Sequence, residues 1–575
     1  MSNVKKRPAK LYHPENVPDD DWQPSAGVVI KLLLSVRISA ALWSSIDTKT
    51  EVFGFYEGLH RLLYGDGFNT WELLDNTNYY CRVFLIWIYS IPASIFVNCF
   101  GDSKIVVFTC VRLMTGLLCL LGEYYAFYAI SKRINVATGR YFLLFTILSP
   151  GMFHASVTFS DLSFTMICTF YFIAAFLDEQ WVVCIISLLL AVFFGTPFIF
   201  VLGVVLTHAT ALKKEIFKWT AVFMCLCVPF CFVRLRVVAS QLRTLPEYEA
   251  PLGHNNTGYE HATINPYKEN LFFNWNFAIF YAFVGFVLSY KTFTKFRLPS
   301  NYEKRLFLPK DRNLLIDYLP ILHCAFIVFM WSLVFGLPST EEEHIAFPMY
   351  PFISLFAALA ADSMLRLFFD KTKKLENNMY KNMLYSSIGL FALFSVMRAF
   401  SVYHSYGSHV EIYKGLHQEL NAHEEFDRFN DPITLCIGKE WQYFPSSFFL
   451  PERVYDGKLN PRKFQMRFLQ SSYNCSLQTK YAVVNNTTDT SIDENRRPTI
   501  SNSLEFCDYV IDMDMPATEK EPNFGNMPEK WKPILSLTVI DANQSDMFFK
   551  NFYLPVFAGT LNKYTTCTLY RKKIT

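Results

Sequence analysis

Val83-Phe84-Leu85-Ile86-Trp87-Ile88-Tyr89-Ser90-Ile91-Pro92-Ala93-Ser94-Ile95-Phe96-Val97-Asn98 decides how this chain is threaded. The run is apolar, but beside the ~20 residues a typical spanning helix needs it is ambiguous. Whether it crosses a bilayer fixes the side on which every later loop lies. Further apolar runs flank it at 27–44, 105–130, 141–158, 164–177, 181–197, 198–212, 219–238, 271–291, 313–336, 348–368 and 382–401. Those at 164–177 and 198–212 are short for full spans. The first run stands behind a polar head carrying Lys5, Lys6, Arg7 and Lys10, too far from Met1 for a cleaved signal peptide, and reads as an uncleaved anchor.

Loop charge arbitrates, because short cytoplasmic loops carry excess Lys and Arg. If 83–98 does not cross, the loops sharing a side with the basic head are 131–140, 178–180, 213–218, 292–312 and 369–381. These are rich in cations, among them Lys132, Arg133, Arg140, Lys213, Lys214, Lys304, Arg305, Lys373 and Lys374. The short loops opposite hold Arg243 and Lys268. A crossing at 83–98 would reverse this asymmetry against the head. The run is therefore expected on or in the far leaflet, leaving about eleven spans. The expected organisation is a cytosolic segment 1–26, a transmembrane module 27–401 with a first far-side loop at 45–104, and a far-side domain 402–575. The sequons at Asn255, Asn474, Asn485, Asn486 and Asn543 all fall on the far side, as glycosylation acceptors in the endoplasmic reticulum lumen would.

Composition agrees with two unlike parts. Of 575 residues, 52% are apolar, 17% aromatic and 18% charged, which excludes disorder. A net charge of +3 does not point to nucleic acid. Mean hydropathy is +0.18, low for a chain that is membrane throughout, so a polar part must offset the spans. Residues 402–575 supply it. Short β-type runs at Ile433–Ile437, Tyr481–Val484, Tyr509–Ile511, Ile534–Ile540 and Tyr564–Tyr570, separated by Pro, Asn and Asp, predict an α+β domain. Cys436, Cys475, Cys507 and Cys567 lie here. In an oxidising lumen they could form one or two disulfides from three pairings, or stay as buried thiols. Cys225, Cys227 and Cys231 have no neighbouring His, so no metal site is expected there. Lys572-Lys573 looks like a retrieval signal but would face the lumen, and reads as two solvated lysines.

The loop after the first span interleaves acids with aromatics. On a helix Glu57, His60 and Arg61 share one face. Phe53, Tyr56, Leu59, Leu63 and Tyr64 form an apolar one. A helix lying flat on the lumenal leaflet fits, its acids turned toward water or a substrate. A second acid group, Glu341-Glu342-Glu343-His344, lies between later spans. Adjacent carboxylates raise one another's proton affinity. A pocket between the two loops would suit a substrate part lipid and part polar.

Three stretches then resemble the dolichol-phosphate-mannose-dependent mannosyltransferases of glycosyltransferase family 22. Glu51-Val52-Phe53 through Glu57, followed by His60 to Glu72 with Tyr64-Gly65-Asp66-Gly67-Phe68-Asn69-Thr70-Trp71-Glu72, is similar to the family's acidic loop and its Tyr-Gly-x-Gly-Phe-x-Thr-Trp-Glu signature. Glu341 to His344 with Phe347-Pro348-Met349-Tyr350-Pro351 is similar to a second family loop. Ile437-Gly438-Lys439-Glu440-Trp441 with Phe444-Pro445-Ser446-Ser447-Phe448-Phe449-Leu450-Pro451 looks like the lumenal tail of the family's α-1,2 branch in N-glycan assembly. The resemblance implies an integral-membrane glycosyltransferase type C fold. It implies dolichyl phosphomannose as donor and a dolichyl-diphosphate oligosaccharide with six, then eight, mannoses as acceptor. The reaction inverts the anomeric centre, with no metal or cofactor.

By that resemblance Glu51 is the candidate base and Asp47 a weaker one. Glu57, His60, Trp71, Glu72, Arg82, Glu342, Glu343 and His344 are the candidate substrate contacts. The chain departs from its family where the leading carboxylate of the first loop is Thr50, and where the second loop's His, Lys and Arg correspond to Thr340, Glu341 and His344. Two alternatives stay open: a relative that binds lipid-linked sugar without transfer, and a lipid-linked sugar flippase. The flippase would need polar spans, and the acids seen, Asp161 and Glu123, are read as marginal.

Overall fold

The computed structural model describes residues 22–46, 51–65, 79–100, 103–195, 199–211, 225, 266–297, 311–335, 343–368, 374–422, 433–438, 444–451, 453–455, 461–469, 500–501, 504, 507–514, 522–541 and 544–573. Its helices follow the apolar runs: α1 (Ala26–Trp43), α2 (Glu57–Tyr64), α3 (Tyr79–Phe100), α4 (Lys104–Arg133), α5 (Val136–Leu148), α6 (Pro150–Ala155), α7 (Asp161–Leu177), α8 (Trp181–Phe194), α9 (Phe200–Ala211), α10 (Pro266–Arg297), α11 (Asp311–Phe335), α12 (Tyr350–Phe368), α13 (Lys374–Tyr406) and α14 (Ser408–Ala422). Among the described residues six helices are long and apolar enough to cross a membrane, and α5, α7, α8 and parts of α9 and α11 are shorter apolar helices. The run 219–238 lies almost wholly outside the described residues.

Local chemistry sets the boundaries. Asn135, Ser149 and Ser160 cap α5, α6 and α7, each side chain accepting from a backbone N–H of the first turn. The expected single run 141–158 is two helices. Pro150 drives Ser149 out of the helical region, to φ −67° and ψ 124°, and then serves as the first residue of the next helix. The run 83–98 is part of a longer helix. It lies within a 22-residue helix that spans Tyr79 to Phe100 and tolerates Pro92 inside. Cys81–Phe100 is long and apolar enough to cross a membrane, and loop charge alone carries the threading.

Contacts group the chain into two units. The first comprises Met1–Leu42, Leu113–Val237 and Thr263–Arg398. Its core is helical, with α12 buried from Tyr350 through Ser363. Gly285 of α10 faces the Phe356 backbone of α12 so closely that a Cβ could not fit. Arg37 and Glu123 are both fully enclosed. The Arg37 guanidinium grips the Glu123 carboxylate at 2.5 and 3.2 Å and also donates to the Met152 carbonyl and the Ser156 hydroxyl. Glu123 is thus no marginal acid but half of a buried ion pair. Asp362 accepts from Arg366, Asn135 and Thr138 in the same unit.

The second unit comprises Trp43–Arg112, Val238–Ala262 and Ala399–Thr575. The loop expected to belong with the spans groups with the C-terminal domain instead. That domain carries β1 (Ile433–Ile437), β2 (Arg453–Tyr455), β3 (Pro461–Leu469), β4 (Ile500–Ser501), β5 (Tyr509–Met513), β6 (Trp531–Ile540) and β7 (Tyr564–Lys572), with short helices α15 (Met547–Asn551) and α16 (Pro555–Leu561) between the last two. The sheet order is β2-β3-β1-β5-β7-β6, with β4 beside β3. β1 runs parallel to β3 and β5, while β7 is antiparallel to β5 and β6. β1 and β5 are buried at every position, as central strands covered on both faces should be. A disulfide joins Cys436 to Cys507, and Cys567 is a buried thiol. Cys475 and the run Tyr481–Val484 lie outside the described residues.

Candidate active site

Glu51 opens a single wide turn of π-helix, Val52–Tyr56, that runs directly into α2. Such turns widen a helix by one residue and recur at functional sites. α2 ends at Gly65, whose φ of 79° places it in the left-handed region and lets its N–H reach the Arg61 carbonyl. Glu51 is 1% exposed and Glu57 0%, so neither acid faces water as an interfacial helix would present it.

Glu57 is buried because it has partners. Its carboxylate accepts from the Ser446 hydroxyl at 2.8 Å, the Ser447 backbone N–H at 2.7 Å and the Ser447 hydroxyl at 2.7 Å. Two of the three sequence signatures therefore meet in space, and the tail motif is docked on the first loop. Ser446 sits at φ 145° and ψ 161°, a region that ordinarily takes only Gly. Its bonds to Glu57 and the bond it accepts from the Phe448 N–H hold it there.

The turn that follows plants Phe448 among the rings of the loop. Its centroid lies 5.0 Å from His60, 6.2 Å from Tyr56, 6.1 Å from Tyr64 and 6.0 Å from Phe108. Phe53 lies 6.2 Å from Phe444 and 6.5 Å from Phe468 of β3. Cations stand over this aromatic wall. Arg82 is 5.3 Å from the Phe55 ring, Lys104 4.9 Å from Tyr64 and Arg112 5.7 Å from Phe108. Arg112 is oriented by donating to the Ser44 carbonyl and hydroxyl at 2.7 and 2.8 Å.

Tyr56 reports the field in this site. Burial pushes its hydroxyl well above the ordinary tyrosine value, the Glu51 charge raises it further, and Arg112 pulls it back. Glu51, Tyr56 and Arg112 thus share one electrostatic neighbourhood: a buried carboxylate, a neutral phenol and a guanidinium. Such a group can take a proton from a hydroxyl and stabilise an oxyanion nearby.

Of the expected site residues, Glu51, Glu57, His60 and Arg82 fall in this one unit. Glu343 and His344 begin a 3-10 helix of the first unit, Glu343–Met349, and only their backbone is described. Asp47, Thr50, Trp71, Glu72 and Glu342 lie outside the described residues, as do Asn255, Asn474, Asn485, Asn486 and Asn543. Sequence reasoning missed Lys104 and Arg112. Lys104 stands just before the apolar run 105–130 and Arg112 is the eighth residue within it, and a cation within a run so apolar is the visible signal. Among the described residues no group of three or more His, Cys, Asp or Glu is placed to hold a metal ion.

A buried acid in a tryptophan- and glycine-bearing loop is thus locked to a Phe-Pro-Ser-Ser-Phe-Phe tail, in a protein whose described residues hold six helices long and apolar enough to cross a membrane. The chain belongs to the Alg9-like mannosyltransferase family, matching it over residues 28–241 and 261–451. It is 42% identical to the alpha-1,2-mannosyltransferase algn-9 of Caenorhabditis elegans, over 98% of this chain and 94% of that one. It is 26% identical to the mouse alpha-1,2-mannosyltransferase ALG9, covering 96% of this chain and 90% of the other. The Saccharomyces cerevisiae protein of that name is 21% identical over 92% of each. Among solved structures, ArnT from Cupriavidus metallidurans bound to undecaprenyl phosphate is similar at a TM-score of 0.44 and 12% identity, over 94% of this chain and 97% of that one.

Proposed function

We propose that this chain transfers mannose from dolichyl phosphomannose, in α-1,2 linkage, to a dolichyl-diphosphate oligosaccharide in the endoplasmic reticulum membrane, with the N-terminus cytosolic and the C-terminal domain lumenal. The observation that carries the reading is Glu51, a buried carboxylate at the head of the π-turn beside Tyr56, inside the loop that bears the family signature. Family membership and the full-length similarity to α-1,2-mannosyltransferases supply the reaction class.

The chemistry is a direct displacement. Glu51 takes the proton of the acceptor hydroxyl as that oxygen attacks C1 of the mannose. The bond from C1 to the phosphate oxygen breaks on the opposite face, so a β-phosphomannose becomes an α-mannoside. The leaving lipid phosphate gains charge, and Arg82, Lys104 and Arg112 are the cations of this unit suited to meet it. Glu57 acts as a positioning residue through the tail motif. His60, Trp71 and Glu72 in this unit, and Glu342, Glu343 and His344 in the other, are each proposed substrate contacts. In the first unit an apolar cavity of about 810 Å³, lined by Val205, His208, Phe286, His323, Phe326 and Phe356, has the lining to accept a length of isoprenoid chain.

The test is mannosyl transfer by the purified protein with a six-mannose lipid-linked acceptor. Wild type is expected to turn over and Glu51→Gln to lose transfer while still folding. Glu51→Asp moves the carboxylate by about one bond, and a misplacement near 1 Å costs on the order of 100-fold. No transfer by wild type above background would reject the reading. Transfer that appears only on Thr50→Asp would favour the binding-only relative.

A further inference from the structure

We propose that α15 and α16 form a membrane-resting foot, inserting their outer face into the lipid interface beside the end of α13, so that the C-terminal domain touches the bilayer at a second place. Met547, Phe548, Val556, Phe557 and Leu561 of these two helices are 39%, 42%, 79%, 52% and 45% exposed. Two short helices presenting that much apolar surface on a water-facing domain need a cover. The opposite face is committed inward: Phe552, Ala558 and Asn562 are buried, and the Asn562 amide donates to the Phe549 carbonyl to tie the pair together.

The occupant follows from what the patch adjoins. Ser401 near the end of α13 donates to the Lys550 carbonyl of α15 at 2.5 Å. His404 of α13 stacks on Tyr553, between the two short helices, with centroids 4.9 Å apart. α13 carries one of the candidate spans, and its Phe400 and Tyr403 are 59% and 54% exposed. The exposed apolar side chains at the end of α13 thus belong to a helix in direct contact with α15 and the segment after it, which carry those of the foot. Aromatic and aliphatic side chains at the edge of a span are what an interfacial anchor uses. Lys563, exposed two residues after α16 and donating weakly to Gln544, is the cation of the foot that would meet lipid phosphates.

The experiment reads lipid adducts. The full chain is reconstituted in phosphatidylcholine vesicles labelled on the acyl chain, with p-benzoylphenylalanine replacing one residue at a time. Phe400 on the span is the positive reference, and Glu529, exposed in the turn before β6 at the opposite end of the β6–β7 pair from α15 and α16, is the negative one. Photolysis is expected to give lipid adducts at 400, 556 and 557 and none at 529. In a second arm, Met547→Glu with Phe548→Glu is expected to lose the adduct at 557 while keeping that at 400. Adducts at 400 alone would overturn the proposal. So would crosslinks from 556 or 557 to a second copy of the chain in place of lipid.

Discussion

At the scale of the residue, two acids six positions apart in one loop have opposite fates. Glu57 is spent on structure: three donors converge on it, and without it Ser446 and Ser447 would hold buried groups with no acceptor. Glu57→Ala should therefore cost on the order of 3 kcal/mol. The check is a lowered unfolding midpoint together with faster proteolysis near 444–450, and Glu57→Gln should lose less because one acceptor oxygen remains. The buried pair of Arg37 and Glu123 gives a second case. Removing one partner strands a charge and should cost about 3–5 kcal/mol, while the joint change Arg37→Met with Glu123→Leu should restore much of the loss in thermal unfolding. Protons give a third. The hydroxyls of Tyr56, Tyr509 and Tyr570 are all raised, first by burial. The unfolded chain releases such protons near pH ~10, and the folded one only higher. Stability from these groups is thus fully present below pH ~10 and is lost as pH climbs above it. Tyr56→Phe should make the alkaline fall in stability shallower, as read by unfolding midpoints across pH.

Elements show what the chain's pattern made legible. Helix positions followed apolar runs closely, because a span needs a long apolar stretch and little else. β1 and the last two strands were equally plain. β3 was missed although Phe464, Met466 and Phe468 alternate with Lys463, Gln465 and Arg467, a period-two signal diluted by the charges. Half of the candidate site was legible as well: Glu51, Glu57, His60 and Arg82 could be picked from one loop. Their meaning was not, because the Ser446 and Ser447 that explain Glu57 lie 389 and 390 residues away, and no local periodicity encodes such a pairing. Two element-level outcomes can be measured. Gly285→Val should drive α10 off α12 and abolish stable folding, since the clash is with backbone and cannot be relieved by a rotamer. Loss of the Cys436–Cys507 link, which closes a separation of 71 residues, should cost up to about 4 kcal/mol. Reduction should accordingly sensitise the tail to protease, and Cys567→Ala should do much less.

For the whole molecule, the chain interleaves its two units, each assembled from three separate segments. Residues 399–575 expressed alone should not hold a stable fold, since Phe53, Tyr56 and Glu57 from the first loop pack into that unit. Co-expressing 43–112 should improve recovery of the pair. The threading has its own check: if the tail is lumenal, tunicamycin should lower the apparent mass of wild type, and less so after Asn474→Gln with Asn543→Gln. Interleaving also imposes a schedule on biosynthesis. Glu57 leaves the ribosome long before Ser446, and at about 5–20 residues per second the loop waits roughly 20–80 s for its partner. During that interval an acid destined for a dry interior sits exposed with its hydrogen bonds unmade. A premature stop or a stalled ribosome anywhere between that loop and the Phe-Pro-Ser-Ser turn would leave every residue of the candidate base's loop intact and the site unbuilt.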